Sequence, residues 1–232
     1  MALIIRIDVD RPYGRQPVVR HVLSRLSSDF YLPRMRPFGY LKELAVILRM
    51  LNSQKARGYV FFRRCTRPSK VIVDLMAQGG HEIGLHLENS RSRDTFLAEK
   101  SALERHVGCS IFALSKHGSG DRKYGMHHFA PYEPEKYVSW AKQSGMRLFL
   151  GNLETPTIHG SVDEAGFRAY PGAYWLEPPW RDVRQFDQSW LLAEARLRHV
   201  VLLIHPENVL ADPVLLQQFN ELVSSLETTI LE

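Results

Sequence analysis

Two histidines and two acidic residues occur close together within residues 79–90, in the order His81, Glu82, His86 and Glu88. Imidazole nitrogens and carboxylate oxygens are common zinc ligands, so this stretch could contribute to a metal centre. It differs from the zinc-protease pattern His-Glu-x-x-His, because residue 85 is leucine and the second histidine comes one residue too late. On a β-strand, such odd spacing directs His81 and His86 to opposite faces. We therefore expect at most one of the two histidines to bind a metal.

Other polar residues follow apolar, strand-like runs elsewhere in the chain. In a parallel β/α barrel the carboxyl ends of the strands share one face, and active sites are built there. Acids and histidines that converge on that face would suit zinc or a similar divalent ion. The residues at these positions are Asp8, Asp10, His86, Lys116, His117, Asn152, Glu154, Glu177 and His205.

The elements that must position these residues alternate between strand and helix patterns. Apolar character, β-branched content and turn residues at the edges predict strands at residues 2–9, 58–64, 81–87, 110–116, 147–153, 174–178 and 200–205. Apolar periodicity and end signals predict helices at residues 40–53, 68–79, 94–106, 134–145, 187–198 and 213–226. This alternation predicts a parallel sheet, and seven such units in 232 residues predict a distorted (β/α)7 barrel. An open, doubly wound sheet is the alternative.

Length and composition limit the class of protein. A chain of 232 residues with 44% apolar content can bury one core, so we expect one domain over residues 1–232. The N-terminal apolar run is too short for a signal peptide or a membrane span, which predicts a cytoplasmic protein. Cys65 and Cys109 form no disulfide or zinc pattern. The formal net charge of +5 permits an acidic partner, but the absence of a basic helix or a binding module argues against nucleic acid.

Two groups of residues near the expected site have more than one interpretation. Arg63 and Arg64 directly follow a strand-like run, and they form either a solvated basic face or a site for a phosphate or anionic sugar. Trp180 follows Glu177 and two prolines, and its ring could pack in the core or stack on a sugar face.

The order of these motifs resembles the polysaccharide deacetylases of the NodB-homology type, carbohydrate esterase family 4 (CE4). The resemblance extends over nearly the whole chain, and its specificity lies in the combination of motifs. Within the family, the chain is similar to an atypical cytoplasmic, WbmS-like branch encoded in lipopolysaccharide O-antigen loci. The motifs are Asp8-Val9-Asp10, Gly58-Tyr-Val-Phe-Phe62, Gly80-His-Glu-Ile-Gly-Leu-His86, Gly145 and Leu202-Leu-Ile-His205.

The resemblance implies a role for each matching residue. Asp8 corresponds to the catalytic base, and Asp10 and His86 correspond to ligands of a divalent metal, with zinc the expected ion. His205 corresponds to the acid that protonates the departing amine. His81 falls where the family has a structural histidine, which implies a hydrogen-bonded position in the core or behind the site.

Two positions depart from the family's pattern. Ser90 stands where the family has its second histidine ligand, and Ser115-Lys116-His117-Gly118 stands where an Arg-Pro-Pro-Tyr-like segment is expected. The departures could compensate for each other if His117 supplies the missing nitrogen ligand and Lys116 replaces the arginine that pairs with the base. Glu88 is an alternative third ligand, and the lack of a stable metal site is a further alternative.

The resemblance implies a metal-dependent deacetylase that hydrolyses the N-acetyl group of a sugar in surface-polysaccharide (O-antigen) biosynthesis. In such a site Asp8 would take a proton from the attacking water, and His205 would donate one to the leaving amine. The expected substrate is an N-acetylated sugar linked to a nucleotide or a lipid. The alternative is a deacetylase-like protein that binds sugar without hydrolysing it. Candidate substrate-binding residues are Arg63, Arg64, Asn152, Glu154, Glu177 and Trp180.

Overall fold

The computed structural model describes residues 2–15, 17–32 and 34–231, and within them one nine-stranded sheet is flanked by helices. The strands are Leu3–Val9 (β1), Gly58–Phe62 (β2), Glu82–Leu87 (β3), Ala113–Lys116 (β4), Leu148–Leu153 (β5), Ser161–Val162 (β6), Arg168–Gly172 (β7), Tyr174–Trp175 (β8) and Val200–Ile204 (β9). The helices are Val18–Phe30 (α1), Lys42–Ser53 (α2), Lys70–Gly79 (α3), Arg93–Val107 (α4), Pro134–Gln143 (α5), Gln188–Leu197 (α6), Pro206–Val209 (α7) and Pro213–Ser225 (α8).

The sheet is parallel apart from one edge. Its strand order is β6-β7-β5-β4-β3-β2-β1-β9-β8, and only β6 runs antiparallel to its neighbour. The register sets Asp8 opposite Phe61 of β2, and His86 opposite Ser115 of β4. The carboxyl ends of the parallel strands therefore lie at one end of the sheet, as the alternation of strands and helices predicts.

The sheet is strongly curled. Strands β1 and β5 are four positions apart, and neighbouring strands lie about 4.8 Å apart, so a flat sheet would separate them by roughly 19 Å. Arg6 Nη1 of β1 nevertheless lies 2.8 Å from the carbonyl oxygen of Leu150 and 2.7 Å from that of Gly151, both in β5. The predicted distorted β/α barrel is thus confirmed as a curled half-barrel, whose edge strands β6 and β8 do not pair with each other over the described residues.

Strand alternation divides the core into two apolar clusters. One lies on the concave face with Arg6 and includes Phe61, over which the Arg6 guanidinium stacks with 5.7 Å between its carbon and the ring centroid. The other cluster lies between the convex face and the helices, and includes Ile47 and Leu48 of α2. Burial on both faces explains the nearly continuous apolar runs by which the strands were predicted.

All seven predicted strands are present, with bounds shifted by a few residues, whereas β6, β7, α1 and α7 were not predicted. Helix α1 escaped prediction because its polarity is inverted. Val18 and Phe30 are exposed, whereas the small polar side chains of Ser24 and Ser27 are buried against the body of the protein. In the part of the chain that the structure describes, the helices are too short or too polar for a membrane span.

Candidate active site

The carboxyl ends of the strands surround one pocket. Asp8 and Asp10 come from the end of β1, His86 from β3, His117 from the residue after β4, and His205 from the residue after β9. The sequence-predicted residues that line the pocket are Asp8, Asp10, Arg63, His86, Lys116, His117, Asn152, Trp180 and His205. The predicted residues that do not line it are Arg64, Glu88, Glu154 and Glu177.

Three side chains in this pocket are placed to share one metal ion. Asp10, His86 and His117 each offer one ligand atom, and these atoms lie within 4.8 Å of one another. Asp10 Oδ1 is 3.1 Å from His86 Nε2 and 3.0 Å from His117 Nδ1. Two imidazoles and one carboxylate are the ligand types of catalytic zinc sites, which keep further positions open. The structure therefore brings together the three ligands predicted for the site.

His117 supplies the most specific test of whether a metal fits. Its side chain is buried, and neither ring nitrogen forms a hydrogen bond with a described residue, although Nδ1 faces Asp10 at 3.0 Å. Burial, reinforced by the Arg63 charge, holds the pKa of His117 well below its usual range, so the imidazole is neutral. A neutral imidazole is the form that binds metals. A divalent cation between His117 and Asp10 would satisfy the buried imidazole and the half-buried carboxylate.

His86 is held in the orientation that a metal ligand requires. Its Nδ1 lies 2.7 Å from Ser115 Oγ, on the neighbouring strand, and its Nε2 points towards Asp10. A hydrogen bond at Nδ1 fixes the tautomer and leaves the Nε2 lone pair free for a metal. Ser115 was not predicted as a site residue. The register of β3 and β4, which pairs it with His86, is the feature that reveals it.

Glu88, the alternative third ligand, is engaged elsewhere. Its Oε1 accepts a hydrogen bond from Arg63 Nη2 in a buried ion pair. Arg63 also donates to the backbone carbonyl of Asp10 at 2.9 Å. Ser90, where the resembled family has a histidine, is buried outside the pocket lining. These positions leave His117 as the described side chain that completes the ligand group.

Asp8 is buried and paired with a cation from its own strand. Arg6 Nε lies 2.9 Å from Asp8 Oδ1, and Arg6 Nη2 lies 2.5 Å from Asp8 Oδ2, so the contact is bidentate. Such a bidentate contact fixes the orientation of the carboxylate. Arg6 is itself fully buried, and it was not among the predicted site residues. A charged residue two positions before Asp8, and so on the same face of the strand, is the pattern that identifies it.

Lys116, predicted to pair with Asp8, lines the pocket but bonds to other partners. Its Nζ donates to the backbone carbonyl of His117 at 2.6 Å and lies 3.1 Å from His128 Nε2. Burial lowers the pKa of Lys116 to about 7 despite the opposing charge of Glu99. Arg6 therefore holds the position beside Asp8 that was assigned to Lys116.

His205 forms a buried pair with Glu177. Glu177 Oε1 accepts hydrogen bonds from His205 Nδ1 at 2.8 Å, from the His205 backbone N–H at 3.1 Å and from Asn208 Nδ2 at 3.1 Å. Burial alone would lower the pKa of His205, but the charge and hydrogen bond of Glu177, together with the charges of Asp10 and Glu207, outweigh burial and raise the pKa to about 10. Glu177, predicted to bind substrate, orients His205 so that Nε2 faces the pocket, 3.7 Å from Asp10 Oδ2.

Of the other predicted substrate-binding residues, some line the pocket and some lie outside it. Asn152 Oδ1 accepts from Arg6 at 2.7 Å, and its Nδ2 donates to the Lys116 carbonyl at 2.6 Å, so it braces the pocket wall. Trp180 lies at the rim, with its ring centroid 5.9 Å from that of Trp175. Two residues lie outside the pocket: Glu154 is exposed, and Arg64 stacks on Tyr31.

His81 lies at the amino end of β3, away from the pocket. Its Nδ1 accepts a hydrogen bond from the backbone N–H of Gly58 at 3.2 Å, and its Nε2 lies 2.7 Å from Asn52 Oδ1. Burial lowers its pKa to about 4, which keeps the ring neutral. His81 therefore has the hydrogen-bonded position away from the metal ligands that the resemblance implies.

Comparison with solved structures shows a shared fold at very low sequence identity. A putative glycoside hydrolase/deacetylase from Parabacteroides distasonis is 8% identical, with a TM-score of 0.51 over 97% of this chain and 65% of its own. A GH57-type branching enzyme from Pyrococcus horikoshii is 10% identical, with a TM-score of 0.51 over 98% of this chain and 68% of its own. A CE4 family pseudoenzyme from Bacillus anthracis is 11% identical, with a TM-score of 0.48 over 98% of this chain and 66% of its own.

This chain spans about two thirds of the length of these three structures. No protein-family model and no curated protein sequence matches it. The two structures with a TM-score of 0.51 support a shared fold but not a shared function. One fold can host many functions, and the function depends on the residues of the site. The chain therefore shares the β/α fold of a glycoside hydrolase/deacetylase structure.

Proposed function

We propose that this protein is a metal-dependent hydrolase that removes the acetyl group from an N-acetylated sugar. The observation that supports the proposal best is the arrangement at the pocket floor. Asp10, His86 and His117 can share one ion, and Asp8 and His205 line the same pocket beside them. One site thus offers ligands for a metal, a further carboxylate and a further imidazole, which together can supply the groups that amide hydrolysis requires.

Asp10, His86 and His117 would hold the ion, for which we propose zinc. When bound, a divalent ion supplies a Lewis acid that polarises the acetyl carbonyl and lowers the pKa of a water molecule. The neutral state of His117 and the Ser115 contact of His86 prepare both imidazoles for this role. Asp10 contributes the carboxylate of the ligand set, and its Oδ1 lies within 3.1 Å of a ring nitrogen of each histidine ligand.

Asp8 is the proposed general base. Its carboxylate lines the pocket, and the bidentate contact with Arg6 fixes its orientation. It would accept the proton of the attacking water, a transfer that a positioned carboxylate can accelerate by about 10² to 10⁴. His86 Nε2, 3.5 Å from Asp8 Oδ2, places this base next to the ligand group.

His205 is the proposed general acid. Because Glu177 holds Nδ1, the opposite nitrogen of the ring faces the pocket and can deliver a proton to the amine that leaves. In this proposal Asp8 therefore receives a proton and His205 gives one. The rings of Trp175 and Trp180 at the pocket wall offer apolar faces on which a sugar ring can stack.

We assign this activity to surface-polysaccharide (O-antigen) biosynthesis in the cytoplasm, with a nucleotide-linked or lipid-linked sugar as substrate. The motif order and its resemblance to the O-antigen branch of the polysaccharide deacetylases support this assignment. Genetic deletion followed by analysis of the acetylation of the surface polysaccharide would test it, and an unchanged acetylation pattern would contradict it.

Acetate release before and after metal removal tests the proposed chemistry. We expect dialysis against a chelator to lower the rate of acetate release from N-acetylated sugars at least about 100-fold, since the ion supplies several kcal/mol of charge stabilisation. Addition of zinc or cobalt should restore the rate. A rate that chelation leaves unchanged would contradict metal dependence, and circular dichroism before and after chelation controls for unfolding.

The second candidate function is sugar binding without hydrolysis. It is motivated by Ser90, which stands where the resembled family has a histidine ligand. This candidate predicts that the zinc-loaded protein binds N-acetylated sugars but releases no acetate. The deacetylase proposal predicts acetate release by the same preparation.

A further inference from the structure

Three arginines outside the ligand group line one side of the pocket. Arg11 directly follows Asp10, Arg15 lies four residues later, and Arg25 lies on helix α1. All three line the same pocket as Asp8, His86 and His205, and none was predicted as a site residue. We call them the arginine cluster.

The cluster carries more positive charge than its surroundings neutralise. Over the described residues, neither Arg15 nor Arg25 has a carboxylate within 4.0 Å, and both are exposed. Arg11 Nε lies 3.8 Å from Glu207 Oε1, but burial raises the pKa of Glu207 to about 7, which weakens that pairing near neutral pH. The pocket's other acid on this side, Asp29, accepts a hydrogen bond from the Met126 backbone N–H.

One imidazole links Arg11 to helix α1, which also carries Arg25. Arg11 Nη1 lies 2.8 Å from His21 Nδ1, and His21 lies one helical turn before Arg25 on α1. Partial burial and then the charges of Arg11, Arg25 and Arg15 lower the pKa of His21. Guanidinium groups bind phosphate through paired, charge-assisted hydrogen bonds.

The arginines predicted to bind phosphate are not available for it. Arg63 is neutralised by Glu88 in a buried pair. Arg64 stacks on Tyr31 with 4.1 Å between its guanidinium carbon and the ring centroid, and it does not line the pocket. The uncompensated charge beside the ligand group is therefore that of the arginine cluster.

We infer that Arg11, Arg15 and Arg25 form a subsite for a phosphate group carried by the sugar whose acetamido group lies at Asp8 and His205. The inference rests on the proposed function and narrows its substrate to phosphorylated N-acetyl sugars, free or as esters. Because the arginine cluster and the ligand group line the same pocket, one bound sugar phosphate can contact both. Neutral N-acetyl sugars would lack this contact.

Binding of two matched sugars tests the subsite. The affinities of N-acetylglucosamine 1-phosphate and N-acetylglucosamine are measured by calorimetry on the purified protein, on Arg15→Gln/Arg25→Gln and on a control, Arg49→Gln/Arg196→Gln. The control removes the same charge from exposed positions on α2 and α6, outside the pocket. All four arginines are exposed, so both double variants should fold.

We expect the sugar phosphate to bind the unmodified protein at least about tenfold more tightly than the neutral sugar. This advantage should fall below about threefold in Arg15→Gln/Arg25→Gln, persist in the control and shrink as salt is added. Equal affinities for the two sugars in the unmodified protein, or equal losses in both double variants, would overturn the inference.

Two esters distinguish the source of the phosphate. Uridine diphosphate N-acetylglucosamine carries a nucleotide, and a geranyl diphosphate ester of N-acetylglucosamine carries a lipid. The ester that binds more tightly than the sugar phosphate identifies the source, and its affinity must fall in Arg15→Gln/Arg25→Gln. If the tighter-binding ester had the same affinity for that variant as for the unmodified protein, the inference would be overturned.

Failure of the subsite and failure of the deacetylase proposal give different results. Selective binding of the sugar phosphate without acetate release supports the subsite and contradicts deacetylation. Acetate release with equal kcat/KM from the neutral and the phosphorylated sugar supports deacetylation and overturns the subsite.

Discussion

Replacement of Asp8 with asparagine is expected to lower kcat for acetate release by about 10² to 10⁴ while zinc content stays unchanged. Asparagine keeps the shape of the side chain but cannot accept the proton of the attacking water. Asp8 lines the pocket, yet it is not a member of the three-residue ligand group. The measurement is steady-state acetate release together with zinc per chain in the same preparation.

Asp74→Asn is a matched control for this experiment. Asp74 lies on the surface, in an exposed i,i+4 pair with Lys70, where the same change removes one charge far from the pocket. We expect this variant to keep full activity. An Asp8→Asn variant as active as Asp74→Asn would remove Asp8 from the mechanism, and loss of zinc from Asp8→Asn would reassign Asp8 to metal binding.

Replacement of Arg6 with methionine is expected to lower the free energy of unfolding by about 3 to 5 kcal/mol, the usual cost of removing one partner of a buried ion pair. Arg6 is fully buried, and its loss would leave the Asp8 carboxylate without its cation. The carbonyls of Leu150 and Gly151 would also lose a donor. Urea unfolding of the variant and of the exposed-site control Arg49→Met measures the difference.

The double variant Arg6→Met/Asp8→Asn separates stability from catalysis. Because it removes both charges, we expect it to regain part of the stability that Arg6→Met loses, a coupling that a double-mutant cycle measures directly. It should regain none of the activity, since the base is absent. Additive stability losses in the double variant would show that Arg6 and Asp8 do not act as a pair.

The ligand group could be predicted because its residues lie at the carboxyl ends of strands that can be recognised from their apolar sequence. Asp10, His86, His117 and His205 each follow an apolar run within two residues or end it, and parallel strands bring such positions together. The prediction of His117 also required the inference that it replaces the histidine ligand missing at Ser90. In the structure, His117 lies beside Asp10.

The partners of these residues could not be predicted in the same way, because they depend on the curl of the sheet. Arg6 reaches β5 only because the half-barrel closes the distance between strands four positions apart. Glu177 reaches His205 because the short β8 pairs with β9 at the opposite edge from β6. Asn152 and Lys116 were placed at the right strand ends, but their side chains bond to the pocket's walls and not to Asp8.

The arginine cluster escaped prediction for a related reason. It depends on α1, whose exposed valines and buried serines give no pattern of a helix packed by its apolar face. Once α1 is in place, Arg25 stands over the same pocket as Arg11, 14 residues earlier in the chain.

Zinc binding by a single-residue series tests most directly the central claim that Asp10, His86 and His117 hold a metal ion. Competition with a chromophoric chelator is measured for the unmodified protein, His117→Ala, Glu88→Gln and the control His127→Ala, whose ring stacks on Tyr31 outside the pocket. We predict that His117→Ala lowers zinc affinity at least about 100-fold, because even outer contacts of a metal site cost 10 to 100-fold. His127→Ala and Glu88→Gln should bind zinc as the unmodified protein does. Undiminished affinity in His117→Ala, with affinity lost in Glu88→Gln, would contradict the assignment.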